Sequence, residues 1–203
     1  MDLLIRTSIL FNSLYQNVNG FTISVSARKK LSNESDFLYG EINLLNWKKI
    51  VERANPKKDG VFFDLGSGIG KPVIASHLLF NFSKSIGIEL ITELHEQALE
   101  IKENLKKIID PKTQNHVTNR KLEFIQGDIF DSDLREADFI FLNYHIRKSA
   151  KFLDFEKKLL QQLKPQSKIV TTLHPLQNSA FKQCGNQSYN FSWGSSPVYF
   201  YEV

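Results

Sequence analysis

The feature that most constrains this chain is an apolar run that enters three closely spaced glycines, Val61-Phe-Phe-Asp-Leu-Gly-Ser-Gly-Ile-Gly70. The run Val61–Leu65 has the length and composition of a buried strand, and Pro72 suits the first turn of a helix. Glycine permits positive φ and lets a ligand approach the backbone closely. The segment therefore predicts a strand, a tight turn that faces a ligand, and a helix.

Strand-like and helix-like segments alternate after this point. Further buried strands are predicted at residues 85–90, Lys121–Gln126, 137–143 and Lys168–Thr172. Apolar residues recur at helical spacing in the range 94–108, behind Thr92 as a cap, and in the range 152–163, behind Ser149. This alternation predicts an α/β fold with a doubly wound, mostly parallel sheet, helices on both faces, and ligands at the carboxyl ends of the strands.

The last part of the chain departs from the alternation. Strand-like segments 188–193 and 198–203 are joined only by residues 194–197, and four residues cannot contain a crossover helix. We therefore expect an antiparallel hairpin at one edge of the sheet.

Length and composition limit the remaining possibilities. A chain of 203 residues with 41% hydrophobic content is expected to form one domain with a short extension. No apolar run approaches the ~20 residues of a membrane span, and Met1-Asp2 does not resemble the start of a secretory signal. Cys184 is the only cysteine, which excludes a disulfide within the chain and the cysteine frameworks of zinc fingers. We predict no metal site and a cytoplasmic location.

Asp64 favours one of two ligand types at the glycine turn. A turn before a helix suits a phosphate, but a carboxylate directly before the glycines repels a diphosphate and accepts a hydrogen bond from an ammonium group. Lys71 is not followed by serine or threonine, so the segment is not a Walker loop. S-adenosylmethionine carries an amino acid end and no phosphate, and we predict it as the cofactor.

Two more acids follow predicted strands. Glu89 lies 25 residues after Asp64 and suits the two ribose hydroxyls, with a surface carboxylate as the alternative. Asp128 suits the adenine amino group, with Ile129 or Phe130 against the ring, and an ordinary turn is the alternative.

Several motifs together carry a resemblance to a known family. They are Phe37-Leu-Tyr-Gly-Glu-Ile42, Asp64-Leu-Gly-Ser-Gly-Ile-Gly70, Gly87-Ile-Glu89, Gly127-Asp128, Phe141-Leu-Asn143, and Ser192-Trp193 with Pro197-Val198. The chain resembles the class I S-adenosylmethionine-dependent methyltransferases and, more narrowly, the non-SET histone lysine methyltransferases named for disruption of telomeric silencing. The resemblance implies a seven-stranded Rossmann-like fold with an antiparallel terminal strand for residues 36–203, behind an N-terminal extension at residues 1–35.

The resemblance also implies roles for single residues. In that family the Tyr-Gly-Glu loop folds over the methionine end of the cofactor, which assigns Tyr39 to the methyl-transfer site together with Asn143 and Tyr144. With the acids above, the predicted cofactor-binding residues are Glu41, Asp64, Gly66, Ser67, Gly68, Lys71, Glu89, Asp128, Ile129 and Asn143. Lys71 replaces a neutral amide of the family pattern, and we expect it to pair with the cofactor carboxylate.

The first hypothesis for function is methyl transfer to an amine, namely a protein lysine. A non-histone substrate is favoured because the chain lacks long basic extensions that would hold nucleosomal DNA. The histone enzymes also carry a second asparagine and phenylalanines where this chain has Tyr144, His145 and Ile146. The acceptor channel therefore need not take the same protein.

Other functions stay open at this level. A nucleic-acid N-methyltransferase is favoured by seven basic residues from Arg147 to Lys168, although these also suit the solvated face of a helix. It is also favoured by the Asn143-Tyr144 pair, which suits an exocyclic amine, although the usual Asn/Asp-Pro-Pro-Tyr/Phe motif is missing. A small-molecule methyltransferase and a cofactor-binding protein without turnover are further alternatives. His174, after the strand Lys168–Thr172, is expected near the site in a structural or a functional role.

Overall fold

The computed structural model describes residues 3–29, 39–109, 120–143 and 150–203. Its strands are β1 (Val61–Leu65), β2 (Lys84–Glu89), β3 (Lys121–Gln126), β4 (Phe139–Leu142), β5 (Lys168–Thr172), β6 (Lys182–Phe191) and β7 (Gly194–Glu202). Its helices are α1 (Leu3–Tyr15), α2 (Gly20–Arg28), α3 (Leu44–Ala54), α4 (Lys71–Leu79), α5 (Thr92–Ile108) and α6 (Ala150–Gln162). The alternation predicted from the sequence is confirmed.

The strands form one sheet in the order β3-β2-β1-β4-β5-β7-β6. Strands β3, β2, β1, β4 and β5 are parallel to one another, whereas β7 is antiparallel to both β5 and β6. The strand order reverses between β1 and β4, where a doubly wound sheet opens a crevice for ligands. The doubly wound, mostly parallel, seven-stranded sheet is therefore confirmed, and β6 lies at its edge as expected.

Side chains alternate between two cores, one on each face of the sheet. Phe62 and Phe141 point to the face covered by α1, α3, α4 and α5, whereas Phe63 and Leu65 point to the face covered by α6. Trp47 of α3 is almost fully buried on the first face, with ring centres 5.5 Å from Phe62 and 4.8 Å from Phe141. This double burial explains why the central strands are continuous apolar runs.

Two local predictions were wrong. Thr92 is the first residue of α5 and not its cap, and its hydroxyl accepts a hydrogen bond from Gln126 at 2.7 Å. Residues 194–197 belong to β7, and Ser192-Trp193 forms the turn of the hairpin. Glycine, serine and proline there are typical of a loop, but the pairing with β6 continues past them. Pro197 has no N–H to donate, and its carbonyl accepts a hydrogen bond from the Leu173 N–H at 2.9 Å. Strand β4 is also shorter than the predicted range 137–143.

The N-terminal helices pack onto the helices that follow the first two strands. Helix α1 contacts α4 and α5, and α2 contacts α5. The side chain of Asn19 starts α2 by accepting a hydrogen bond from the Thr22 N–H at 3.0 Å. The predicted boundary at residue 36 lies outside the described residues. Within the described ranges, no helix is both long and apolar enough to cross a membrane.

Gly70 tests the geometry that joins β1 to α4. Its φ is +80°, and an added Cβ would lie 2.5 Å from the Phe124 ring. We expect Gly70→Ala to lower the free energy of unfolding by about 1 to 3 kcal/mol, because it adds both backbone strain and overpacking. Gly127→Ala is the control, since an added Cβ there meets nothing within 4 Å. Urea denaturation of both variants measures the difference, and equal stabilities would contradict this account of the turn.

Candidate active site

The carboxyl ends of four strands meet in one row. Leu65 pairs with both Ile88 and Leu142, and Leu142 pairs with Thr171. The residues that follow in each strand or just beyond it are Glu89, Gly66, Asn143 and Thr172. The register therefore brings together predicted cofactor residues that are up to 77 positions apart (143 − 66 = 77).

Glu89 fixes the glycine turn to the end of β2. One of its carboxylate oxygens accepts a hydrogen bond from the Gly68 N–H at 2.7 Å, and the other accepts from the Ile91 N–H at 2.9 Å. Burial raises the pKa of Glu89, and the backbone donors partly offset this effect. Each oxygen still has a lone pair to offer. The carboxylate is therefore placed to bind two hydroxyls of a ligand while it holds the turn.

Asp64 is a buried acid with no ion-pair partner in the described part of the chain. Its side chain is 1% exposed, and its Oδ2 has no hydrogen-bond partner among the described residues. Burial raises the pKa of Asp64 well above its ordinary value, and the charge of Glu89 adds to the effect. A buried carboxylate without a partner is costly. Its position next to the glycine turn therefore fits the ammonium group of an amino acid.

Glu41 links a tyrosine and a lysine across the site. The Tyr39 hydroxyl donates to Glu41 Oε1 at 2.7 Å, and the Lys71 ammonium donates to Glu41 Oε2. Burial, followed by the charge of Glu41, raises the pKa of Tyr39, so its phenol remains protonated. The three side chains place a carboxylate and an ammonium side by side, which is the charge pattern that complements an amino acid zwitterion.

The hairpin turn holds the segment that carries Tyr39 and Glu41. The Glu41 N–H donates to the Ser192 hydroxyl at 2.9 Å, and the Ser192 N–H donates to the Glu41 carbonyl at 2.9 Å. The Trp193 ring lies against Gly40, where an added Cβ would come within 2.0 Å of it. The Tyr39 ring in turn covers Gly68 of the glycine turn, since an added Cβ there would lie 2.7 Å from it. The two motifs 39–41 and 192–193 are therefore parts of one contact.

The predicted adenine-binding acid has a partner that the sequence did not reveal. Asp128 accepts a hydrogen bond from the Phe130 N–H at 2.9 Å, and its other oxygen is 3.2 Å from the Lys151 ammonium. The same ammonium lies 4.1 Å from the centre of the Phe130 ring. Ile129 is buried beside them. Lys151 belongs to α6, and only the fold brings it to this turn.

The predicted acceptor side of the site is described in part. Asn143 Oδ1 accepts a hydrogen bond from the Thr172 hydroxyl at 2.5 Å, which orients the amide at the end of β4. Tyr144 lies outside the described residues. His174 is exposed, and the hydrogen bonds recorded for it involve its backbone. Its structural role is favoured.

The described part of the basic stretch after Arg147 is engaged in contacts within the protein. All five of its described lysines donate to acceptors of the protein itself, namely Lys151 to Asp128, Lys157 to Asp154, Lys158 to the Phe130 carbonyl, Lys164 to Asp138 and the Glu136 carbonyl, and Lys168 to Glu202. This pattern favours a solvated helix face over a surface for nucleic acid.

No role was assigned to Tyr15 from the sequence. Its hydroxyl donates to the Ile69 carbonyl at 3.3 Å, and the Lys71 ammonium lies 5.1 Å from the centre of its ring. No local pattern connects it with a turn 54 residues away.

Comparison with known proteins agrees with this geometry. A family model described as "Histone methylation protein DOT1" matches residues 21–192. The chain belongs to this family. The resemblance to non-SET histone lysine methyltransferases is thereby confirmed, and the match begins within the predicted extension.

Two curated relatives of this DOT1 family member differ in length. The H3 lysine-79 specific histone-lysine N-methyltransferase of Caenorhabditis elegans is 35% identical over 139 residues, which are 66% of this chain and 14% of that protein. A protein-lysine N-methyltransferase of Saccharolobus islandicus is 29% identical over 126 residues, which are 61% of this chain and 68% of that protein. The chain thus spans only a small part of the long histone enzyme.

Solved structures agree on the fold. An RNA methyltransferase from Salinibacter ruber, crystallised with S-adenosyl-L-homocysteine, superposes with a TM-score of 0.59 at 23% identity and covers 80% of this chain and 92% of that one. This likeness confirms the Rossmann-like methyltransferase fold. At this identity it carries no information on the methyl acceptor.

Asp64 provides a test that separates stability from binding. We expect Asp64→Asn to raise the free energy of unfolding of the free protein at neutral pH, because the buried Asp64 carboxyl must take up a proton on folding and an amide need not. The same change is expected to weaken S-adenosylmethionine binding by about 10-fold to 100-fold, the loss of a hydrogen bond between charged groups. Urea denaturation and calorimetric titration measure the two effects. Asp133→Asn is the control, because that carboxylate is exposed.

The stability gain of Asp64→Asn should depend on pH, and the pKa shift of Asp64 fixes the direction of that dependence. The pKa of Asp64 is raised in the folded protein, so the folded state keeps its proton while the unfolded chain loses it. Wild-type stability attributable to Asp64 therefore falls as pH rises from the ordinary aspartate pKa to the raised value. The advantage of Asp64→Asn should vanish below the ordinary value. An advantage that grows towards acid pH would contradict this assignment.

Proposed function

We propose that this chain is an S-adenosylmethionine-dependent methyltransferase that methylates the lysine side chain of a protein. The observation that carries the proposal is the buried Oδ2 of Asp64, which has no hydrogen-bond partner among the described residues. The ion pair of Glu41 with Lys71 lies at the start of α4, just after the same glycine turn. This arrangement fits an amino acid zwitterion and does not fit a phosphate. Membership of the DOT1 family and the names of both curated relatives support a lysine acceptor.

Different residues bind different parts of the cofactor. Asp64 and Glu41 receive the ammonium group, and Lys71 receives the carboxylate, because an ammonium has three donors and Glu41 occupies one of them. Glu89 receives the ribose hydroxyls. Asp128 and Ile129 receive the adenine, and the Lys151 side chain changes its own position at Asp128. Bound there, S-adenosylmethionine supplies a methyl group on a cationic sulfur, ready for in-line displacement.

The acceptor amine must reach the site without its proton. Deprotonation of lysine at pH 7 costs roughly 4 to 5 kcal/mol, from an ordinary pKa of ~10.4. Burial beside a cation lowers an amine pKa. Tyr39 contributes an aromatic wall and a neutral hydroxyl, and Asn143 contributes an amide held by Thr172. These groups align the amine, exclude water and require no covalent nucleophile.

The alternatives now differ in support. The nucleic-acid hypothesis rested on the basic stretch and on the Asn143-Tyr144 pair. The described lysines of the stretch are engaged within the protein. Asn143 is bonded to Thr172, and Tyr144 lies outside the described residues. A small-molecule acceptor has no observation of its own in its favour. A histone target is named only for the long relatives, and for this chain a non-histone protein stays our prediction. The cytoplasmic location also stays a prediction.

Transfer of labelled methyl groups tests the proposal. Purified protein is incubated with S-[methyl-³H]-adenosylmethionine and cell lysate, and the label is followed after protease, after nuclease, and as methyllysine after acid hydrolysis. We expect protease-sensitive label recovered as methyllysine, at a rate that rises with pH as the acceptor deprotonates. Asp64→Asn, assayed at a cofactor concentration well below its Kd, is the matched control with reduced transfer. Label sensitive to nuclease would replace the proposal with the nucleic-acid alternative.

A further inference from the structure

Tyr15 brings the first helix into contact with the glycine turn. It is the last residue of α1 and is 7% exposed. Its hydroxyl donates to the Ile69 carbonyl, between Gly68 and Gly70, at 3.3 Å. Its ring contacts Phe11 of the same helix, with a distance of 4.7 Å between ring centres. The side chain is therefore fixed from both sides, by its own helix and by the turn.

Lys71 lies between this ring and Glu41. Its ammonium is 5.1 Å from the centre of the Tyr15 ring and donates to Glu41 on the other side. The side chains of Lys71 and Glu41 are only 19% and 24% exposed. A partly desolvated ammonium is attracted to the face of an aromatic ring. The ring therefore restricts the lysine to the arrangement in which its ammonium borders the methionine end of the site.

The electrostatic surroundings place Tyr15 at that same end. Burial raises the pKa of its phenol, and the charges of Glu41 and Asp64 raise it further. Both carboxylates assigned to the cofactor ammonium are thus close enough to act on Tyr15. The phenol stays neutral and remains a donor to the turn.

We propose that Tyr15 is a positioning residue for the amino acid end of the cofactor, so that helix α1 forms part of the pocket. Its ring holds the Lys71 ammonium in place to receive the cofactor carboxylate, and its hydroxyl holds the glycine turn at Ile69. This inference rests on the proposed function. It also assigns a role to residues that the sequence placed in an extension.

Two ligands that share the nucleoside should respond differently to the loss of Tyr15. S-adenosylhomocysteine has the amino acid end, whereas 5′-methylthioadenosine lacks it. Loss of the ring should weaken the first ligand and spare the second, because Glu89 and Asp128 serve the nucleoside in both. A merely structural role for Tyr15 would weaken both ligands alike.

Calorimetric titration of both ligands tests the inference. We expect Tyr15→Leu to raise the Kd of S-adenosylhomocysteine by about threefold to thirtyfold, the range of a cation–π contact, and to change that of 5′-methylthioadenosine less than about twofold. Tyr15→Phe keeps the ring and should recover most of the affinity. Leu14→Ala, which removes a neighbouring core side chain of α1, should leave the ratio of the two Kd values unchanged. Tyr15→Met carries the same expectation if Tyr15→Leu does not fold.

The Lys71→Gln variant shows whether the effect of Tyr15 on ligand binding depends on Lys71. In Lys71→Gln protein, Tyr15→Leu should add no further loss of S-adenosylhomocysteine affinity, because the ammonium held by the ring is gone. Equal losses for both ligands, or a full additional loss in the Lys71→Gln background, would overturn the inference alone. Wild-type protein that binds neither ligand would overturn the proposed function, and this inference with it.

Discussion

The carboxylate of Glu41 is the junction on which the candidate site depends. One oxygen accepts from Tyr39, the other accepts from Lys71 at the start of α4, and the backbone of the same residue is bonded to Ser192 of the hairpin turn. Tyr39 covers Gly68 from the same segment. The glycine turn, the first helix after it and the antiparallel end of the sheet are therefore held against one another by a short segment of extended chain.

The same arrangement places acidic side chains in a buried site, where an uncompensated negative charge is costly. Burial raises the pKa of both Asp64 and Glu89, and each phenol that borders them is kept neutral by burial and by nearby carboxylates. Backbone N–H groups compensate Glu89, and Lys71 compensates Glu41. Asp64 Oδ2 has no such partner within the described ranges. Such residual cost at a site is expected when a ligand, and not the protein, provides the missing partner.

The sequence predicted those parts of the molecule that local pattern determines. Asp64 and Glu89 were found because each acid interrupts or ends an apolar strand beside glycine, and parallel strands end at a common edge. The hairpin was expected, but its turn was misplaced because residues 194–197 look like a loop while their backbone continues the ladder. Tyr15 and Lys151 were missed, since each reaches the site from a helix remote in sequence. No spacing rule predicts such contacts before the topology is known.

A crystal structure with S-adenosylhomocysteine tests the central claim most directly, because the claim concerns where the amino acid end binds. We predict that the ligand ammonium lies within hydrogen-bond distance of Asp64 and Glu41, and that its carboxylate contacts Lys71, with the nucleoside towards Glu89 and Asp128. A ligand whose amino acid end points away from Asp64, with the Asp64 carboxylate still without a cation, would contradict the account.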